Sequence, residues 1–151
     1  MTSEKQLKTC LDLIHNSNIL VLATQGEDGV HTSLMAYAGS DDGSEIYMIS
    51  SKNSRKWQNI TRNPQVSMLI DDREGKLGVR RSQIKALTVK GTFIPITAPA
   101  ERAAVYKLIT DAVPEITSAF SENDNEIIRI KTESLLLLDG PKDSYYCSIS
   151  S

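Results

Sequence analysis

The sequence predicts a mainly β protein: a small β-barrel of antiparallel, Greek-key-like strands with helices on its outside. Short runs rich in β-branched and aromatic residues recur along the chain, each bounded by Gly, Asp, Asn or Pro turn signals. Asp28-Gly29, between two such runs, is the strongest hairpin signal in the chain. Helical periodicity is confined to a few stretches that do not alternate one by one with the strands, which argues against a doubly wound parallel sheet. About six strands and two covering helices are expected.

With 151 residues the chain is one domain, 1–151, large enough for a real core. Hydrophobic content of 40% and charged content of 24% are ordinary for a soluble protein, and a net charge of −2 gives no general attraction to nucleic acid or anionic membrane. No apolar run approaches a membrane span and the amino terminus is polar, so a cytoplasmic protein is expected. Cys10 and Cys147 match no metal or redox spacing, and a disulfide framework is not expected.

In chain order, Ser3-Glu4-Lys5-Gln6 has capping-box spacing, and Leu7, Cys10, Leu11 and Ile14 then recur at helical intervals up to His15-Asn16. Ile19 to Ala23 reads as a buried strand, with Val30 to Tyr37 returning after the turn at Gln25–Gly29. A turn over Gly39–Ser44 leads into the strand Glu45 to Ser50. A helix from near Ser54, carrying Trp57 and Ile60, is stopped by Asn63-Pro64. Gln65 to Ile70 is a strand, Asp71 to Gly78 a charged loop, and Ile84 to Ile96 a long strand in which Gly91 marks a bulge or bend. Pro99 opens an amphipathic helix that closes before Pro114, with a short helical piece to Phe120. Ile127 to Lys131 and Leu135 to Leu138 are the last core strands, and the tail with Tyr145-Tyr146 is an extra strand, a dimer arm or disordered.

The most informative stretch is Ile46 to Ile60. A strand runs through Ser50-Ser51 into a short helix whose start carries Lys52, Arg55 and Lys56. Cations there oppose the helix dipole and cost stability. A phosphate would reverse the sign, because free N–H groups, the Ser50, Ser51 and Ser54 hydroxyls and the cations would converge on it. The alternative is a solvated basic face.

These residues resemble the pyridoxamine-phosphate-oxidase-like, flavin mononucleotide (FMN)-binding split-barrel family. The resemblance runs from Asn18 through Pro64, carried by Ile19 to Thr24, Asp28-Gly29, Tyr47 to Ser51, Ser54-Arg55-Lys56 and Asn63-Pro64-Gln65-Val66-Ser67. It extends less specifically to Val89–Thr92, Ala100-Glu101-Arg102 and Arg129 through Gly140. It implies a homodimer with two flavin sites at the subunit interface. Leu34, Met35 and Ala36 would run beside the isoalloxazine ring, largely through backbone groups; Ile49 and Ser50 would line the ring edge and ribityl chain; Arg55 and Lys56 would hold the 5′-phosphate. Ser51 joins this set from its place in the turn. Three departures stand out: Ala86 where the family has a glutamine, Leu138 where it has a tryptophan, and no arginine at the start of the Leu34 stretch. The Arg-Leu-His substrate motif of true pyridoxamine phosphate oxidases is replaced by Pro141-Lys142-Asp143-Ser144-Tyr145, so vitamin B6 oxidation is not expected.

No metalloprotease, nucleophile-elbow, Walker or dinucleotide fingerprint is present, so any redox chemistry must come from a cofactor. His31 reads as a strand residue near a turn, with proton donation near a flavin as the alternative. His15 reads as a helix-end residue, Trp57 as core rather than a stacking platform, and Arg80-Arg81 as exposed loop cations. The expected function is an FMN-dependent oxidoreductase acting on a small unidentified molecule; the alternative is a non-catalytic flavin-binding or stress-response module. A haem-binding split barrel is the least favoured reading, since no histidine follows His31.

Overall fold

The computed structural model describes residues 3–76, 78, 80–116, 124–141 and 143–149. In chain order the elements are α1 (Ser3–Asn16), β1 (Ile19–Gly26), β2 (Gly29–Ala36), β3 (Ala38–Gly39), β4 (Glu45–Ser51), α2 (Arg55–Arg62), β5 (Gln65–Asp71), a 3-10 turn (Arg81–Gln83), β6 (Lys85–Phe93), α3 (Pro99–Ala112), β7 (Asn125–Asp139) and β8 (Asp143–Ser148). The fold is mainly β, and every strand pairing is antiparallel.

The strands form one sheet in the order β2-β1-β5-β6-β7-β4-β3, with β8 added to β7. β2 and β3 stand at opposite ends of that order, yet Tyr37 alone separates them in the chain. The sheet therefore curls back on itself into an open half-barrel whose ends meet at this residue. Tyr37 is fully buried; its hydroxyl donates to the Ile14 carbonyl at 2.6 Å and its N–H to the Asn18 carbonyl at 3.0 Å, which pins the corner to α1 and β1.

β7 is the pivot. Its first half pairs with β4, its second half with β8 along the same edge, and residues from Ile130 onward pair with β6 on the other edge. The sequence predicts two strands here. They are one, because Thr132-Glu133-Ser134 contains neither Gly nor Pro, and the irregularity is absorbed as a register shift opposite Lys90/Gly91. Gly91 is required at that point: a Cβ would collide with the Lys131 carbonyl oxygen and the Ile130 side chain.

Side chains alternate across the sheet on either side of the β6–β7 irregularity, so that Ile128 and Ile130 before it and Leu135 and Leu137 after it all face the core. Inward residues such as Leu20, Leu22, Met35, Met48, Ile70, Leu87 and Ile128 form the main core, closed at one end by Cys10, Leu13 and Ile14 of α1. Each such side chain contributes roughly 1.5–3 kcal/mol on burial. On the outer face of β4 and β7, Tyr47, Ile49 and Ile127 pack under Val105 and Ile109 of α3 to make a second cluster. Trp57 meets Phe93 edge-on at 5.6 Å and packs on the main core, as its helical position predicts.

Several boundaries differ from the sequence expectation. Ser3 lies inside α1 rather than capping it, the strand expected over Val30 to Tyr37 breaks at the Tyr37 corner, and β6 stops at Phe93, well before Pro95. Among the described residues three helices cover the sheet rather than two, and eight strands replace the six expected, because β3 splits from β2 and the Tyr145-Tyr146 tail forms β8. The helical piece expected to Phe120 lies, beyond Ile116, outside the described residues, as do loop positions 77 and 79.

Candidate functional site

β4 ends at Ser51, and three residues later Ser54 precedes α2, which starts at Arg55. Ser54 is extended and its hydroxyl accepts from the Trp57 N–H at 3.2 Å, so it is the helix cap. The same hydroxyl lies 2.7 Å from the Ser50 hydroxyl and donates to the Ser51 carbonyl at 2.9 Å. The Ser51 hydroxyl accepts from the Asn53 N–H at 3.2 Å. Three serines thus define the strand-to-helix turn. The first turn of α2 carries no acidic residue to offset its dipole.

The three cations at this turn have separate fates. Lys52 pairs with Glu126 at 3.3 Å, and Arg102 from α3 joins the same carboxylate at 2.9 Å. Burial raises the Glu126 carboxyl, but hydrogen bonds from Arg102 and Lys52 and their charges outweigh it and hold it below the usual carboxylate value. Arg55 reaches away to Asp28 in the β1–β2 turn at 2.8 Å, an exposed pair. Lys56 has no carboxylate within ion-pair distance among the described residues, and it lines a groove.

That groove, about 410 Å³, is walled by Asn18, Ile19, Leu34, Met35, Ala36 and Ile49 on the strand side. Val113, Glu115 and Ile116 beyond α3 form the facing wall, and Ser50, Ser51, Ser54 and Lys56 form one polar end. Seven of the eight sequence candidates, Leu34, Met35, Ala36, Ile49, Ser50, Ser51 and Lys56, therefore share one groove; Arg55 is not among its lining residues. Nothing in the sequence marked Val113, Glu115 or Ile116, because their position depends on how α3 folds back over β4. His31 sits on β2 opposite Thr24 and Arg81 donates to the Ile84 carbonyl, both away from this lining.

One row on the outer face of the sheet beside the groove is largely apolar. Register places Leu34, Val21, Leu69, Thr88, Leu136 and Tyr146 in one row across β2, β1, β5, β6, β7 and β8. Leu34 is 73% exposed and Tyr146 64%, with Ile19 and Val30 also exposed. Ile19 and Leu34 belong both to this face and to the groove. Ala86 and Leu138, where the resemblance expects glutamine and tryptophan, are cross-strand neighbours and not lining residues of the groove. No three His, Cys, Asp or Glu side chains cluster as a metal site among the described residues, and no helix there is long and apolar enough to cross a membrane.

A curled antiparallel half-barrel with few peripheral helices is the fold of the pyridoxamine-phosphate-oxidase-like split barrels. The family model described as pyridoxamine 5′-phosphate oxidase matches residues 7–138, and the chain belongs to that family. A search of curated proteins found no match. Among solved structures, the chain is similar to a heme binding protein from Mycobacterium smegmatis (17% identity, TM-score 0.77, covering 91% of this chain and 56% of that one). It is also similar to a FAD-binding protein from Mesorhizobium loti (19% identity, TM-score 0.71, covering 86% and 90%). General Stress Protein 26 from Bacillus anthracis is a third (16% identity, TM-score 0.69, covering 95% and 99%). The chain spans just over half the length of the mycobacterial protein. At these identities the likeness concerns the fold; members of the family bind flavins or heme.

Proposed function

We propose that the chain binds FMN in the groove between β2, β4, α2 and the segment after α3, as a homodimer, and serves as a flavin-dependent oxidoreductase for a small molecule. The observation that carries this reading is the single groove with an apolar length and one polar end formed by Ser50, Ser51, Ser54 and Lys56 at the start of α2. Its volume lies in the range of sites that enclose a cofactor-sized ligand. The apolar side chains Leu34, Met35, Ile49 and Ile116 suit a flat ring, and the α2 start with Lys56 suits a terminal phosphate. Breaking the exposed Arg55–Asp28 pair costs only about 0.2–1 kcal/mol, so Arg55 can turn to the same phosphate.

The homodimer rests on the apolar row from Leu34 to Tyr146, since exposed patches of this kind mark interaction surfaces. Ile19 and Leu34 join that face to the groove, which puts each flavin beside the interface.

Bound flavin would supply hydride or single-electron transfer. The chain's part is to hold the phosphate at Lys56, keep the ring against Leu34 and Ile49, and exclude water with Val113 and Ile116. A heme occupant is less well served, because the lining includes no histidine, cysteine or tyrosine among the described residues and the Met35 side chain packs in the main core. The test is the visible spectrum of the purified protein before and after adding FMN. Flavin bands and saturable uptake are expected; neither appearing would end the proposal. Turnover of reduced nicotinamide with a simple acceptor separates the oxidoreductase from a non-catalytic flavin-binding or stress-response module, for which no turnover is expected.

A further inference from the structure

The chain has two cysteines, and the groove uses neither. Cys10 lies on α1, on the face that closes one end of the main core, and it is fully buried. Cys147 lies on β8 directly opposite Leu135 of β7, with Tyr145 opposite Leu137. Opposite residues on paired strands share a face, and Leu135 and Leu137 belong to the main core, so Cys147 and Tyr145 point the same way. Exposure along β8 agrees: Tyr145, Cys147 and Ile149 are partly covered, whereas Ser144, Tyr146 and Ser148 are exposed. Tyr145 and Ile149, on either side of Cys147, pack on the core cluster that contains Cys10, and so do Leu7 and Leu11 of α1. The two thiols are within electrostatic reach of each other. After burial, the charge of Cys147 is the next cause that raises the Cys10 thiol; the Tyr145 hydroxyl, raised by its hydrogen bond with Cys147 and by burial, also feels the charges of both cysteines.

We propose that Cys147 is a thiol-oxidation site and Cys10 its resolving partner, the two closing a reversible disulfide between β8 and α1 when a low-molecular-weight disulfide oxidises the chain. Cys147 reacts first, because its thiol is part-exposed while Cys10 is sealed from solvent. Its thiolate attacks one sulfur of the small disulfide RSSR, the RS–SR bond breaks and one RS⁻ leaves, giving a mixed disulfide on Cys147. Cys10 then loses its proton to water and attacks the Cys147 sulfur, and the second RS⁻ leaves as the Cys10–Cys147 bond forms. The two protein thiols lose two protons and two electrons between them, and RSSR departs as two thiolates. Excess small thiol reverses both steps. The closed form staples the last strand to the first helix and holds Tyr146, at the end of the apolar row, in place with β8.

The test uses the full chain and dithiobis(nitrobenzoate), an aromatic disulfide whose released thiolate is coloured, at less than one equivalent. The wild type is expected to release two thionitrobenzoate ions for each reagent molecule consumed. The second release should be slower than the first, because burial pushes the Cys10 thiol up to about 11 and keeps it largely protonated, and its rate should not depend on protein concentration. The product should have lost two hydrogen atoms in intact mass and should yield a Cys10–Cys147 linked peptide on non-reducing digestion. Cys10→Ala should stop after the first release and keep the nitrobenzoate on Cys147, and Cys147→Ser should release almost none. The wild-type digest needs no variant, so a poorly folding substitution leaves the test intact. A single release in the wild type, a second release in folded Cys10→Ala, or a digest without the linked peptide would overturn the proposal. Neither cysteine lines the groove, so none of these results depends on whether it takes FMN.

Discussion

Replacing Lys56 by alanine tests the phosphate end of the groove. Lys56 is the cation in the lining and has no carboxylate to release among the described residues, so its interaction with a phosphate is a net gain. A hydrogen bond to a charged group contributes about 1.5–3 kcal/mol, which predicts FMN binding weaker by about ten- to 150-fold in Lys56→Ala. Arg55 must first leave Asp28, an exposed pair worth about 0.2–1 kcal/mol, so Arg55→Ala should lose less by that amount. Asp28→Ala frees Arg55 and should tighten FMN by up to about fivefold. The assay is quenching of FMN fluorescence on titration with each protein at one fixed salt concentration, since both effects are screened. Unchanged affinity in Lys56→Ala would place the phosphate elsewhere. Unchanged affinity in both Asp28→Ala and Arg55→Ala would mean that Arg55 serves only its surface pair.

Leu34→Asp places a charge at the exposed β2 end of the apolar row and is expected to convert a dimer into a monomer in sedimentation experiments without loss of secondary structure; a wild-type mass would refute the interface. Gly91→Ala should cost about 1–3 kcal/mol or more in denaturant unfolding, because its Cβ meets the Lys131 backbone and Ile130; an unchanged midpoint would contradict the close approach of β6 to β7. Alkaline pH should destabilise the fold. Burial, then the charge of Cys147, pushes the Cys10 thiol from 9.0 up to about 11, and burial raises Tyr37 as well. Above about pH 9 the unfolded thiol loses its proton while the folded one keeps it, so stability falls until the folded value is passed. Cys10→Ala should flatten that fall between about pH 8 and about pH 10.5 in urea unfolding, and an equally steep fall would refute the assignment.

Local signals were legible wherever one residue controls the backbone. Asp28-Gly29 marks its hairpin, with Gly29 at a φ of 116°. Ser54 and Asn63-Pro64 bracket α2, and Gly91 marks the irregular register of β6 on β7. The turn from β4 into α2 was legible because serine is a favoured cap just before a helix start. What the sequence could not supply depends on distant pairing. The continuity of β7 follows from having β4, β6 and β8 as neighbours, and no local residue announces that. Arg55's turn toward Asp28 and the closure of the groove by Val113 and Ile116 are likewise tertiary outcomes.

The central claim is that one groove holds a flavin by its ring along the apolar wall and by its phosphate at the start of α2. Parallel calorimetric titrations of the flavin-free protein with FMN and with riboflavin, which lacks the phosphate, test it most directly. Saturable FMN binding is predicted, with riboflavin weaker by at least about tenfold, the factor for one charge-assisted hydrogen bond. Equal affinity for the two flavins, or binding of neither, would contradict it.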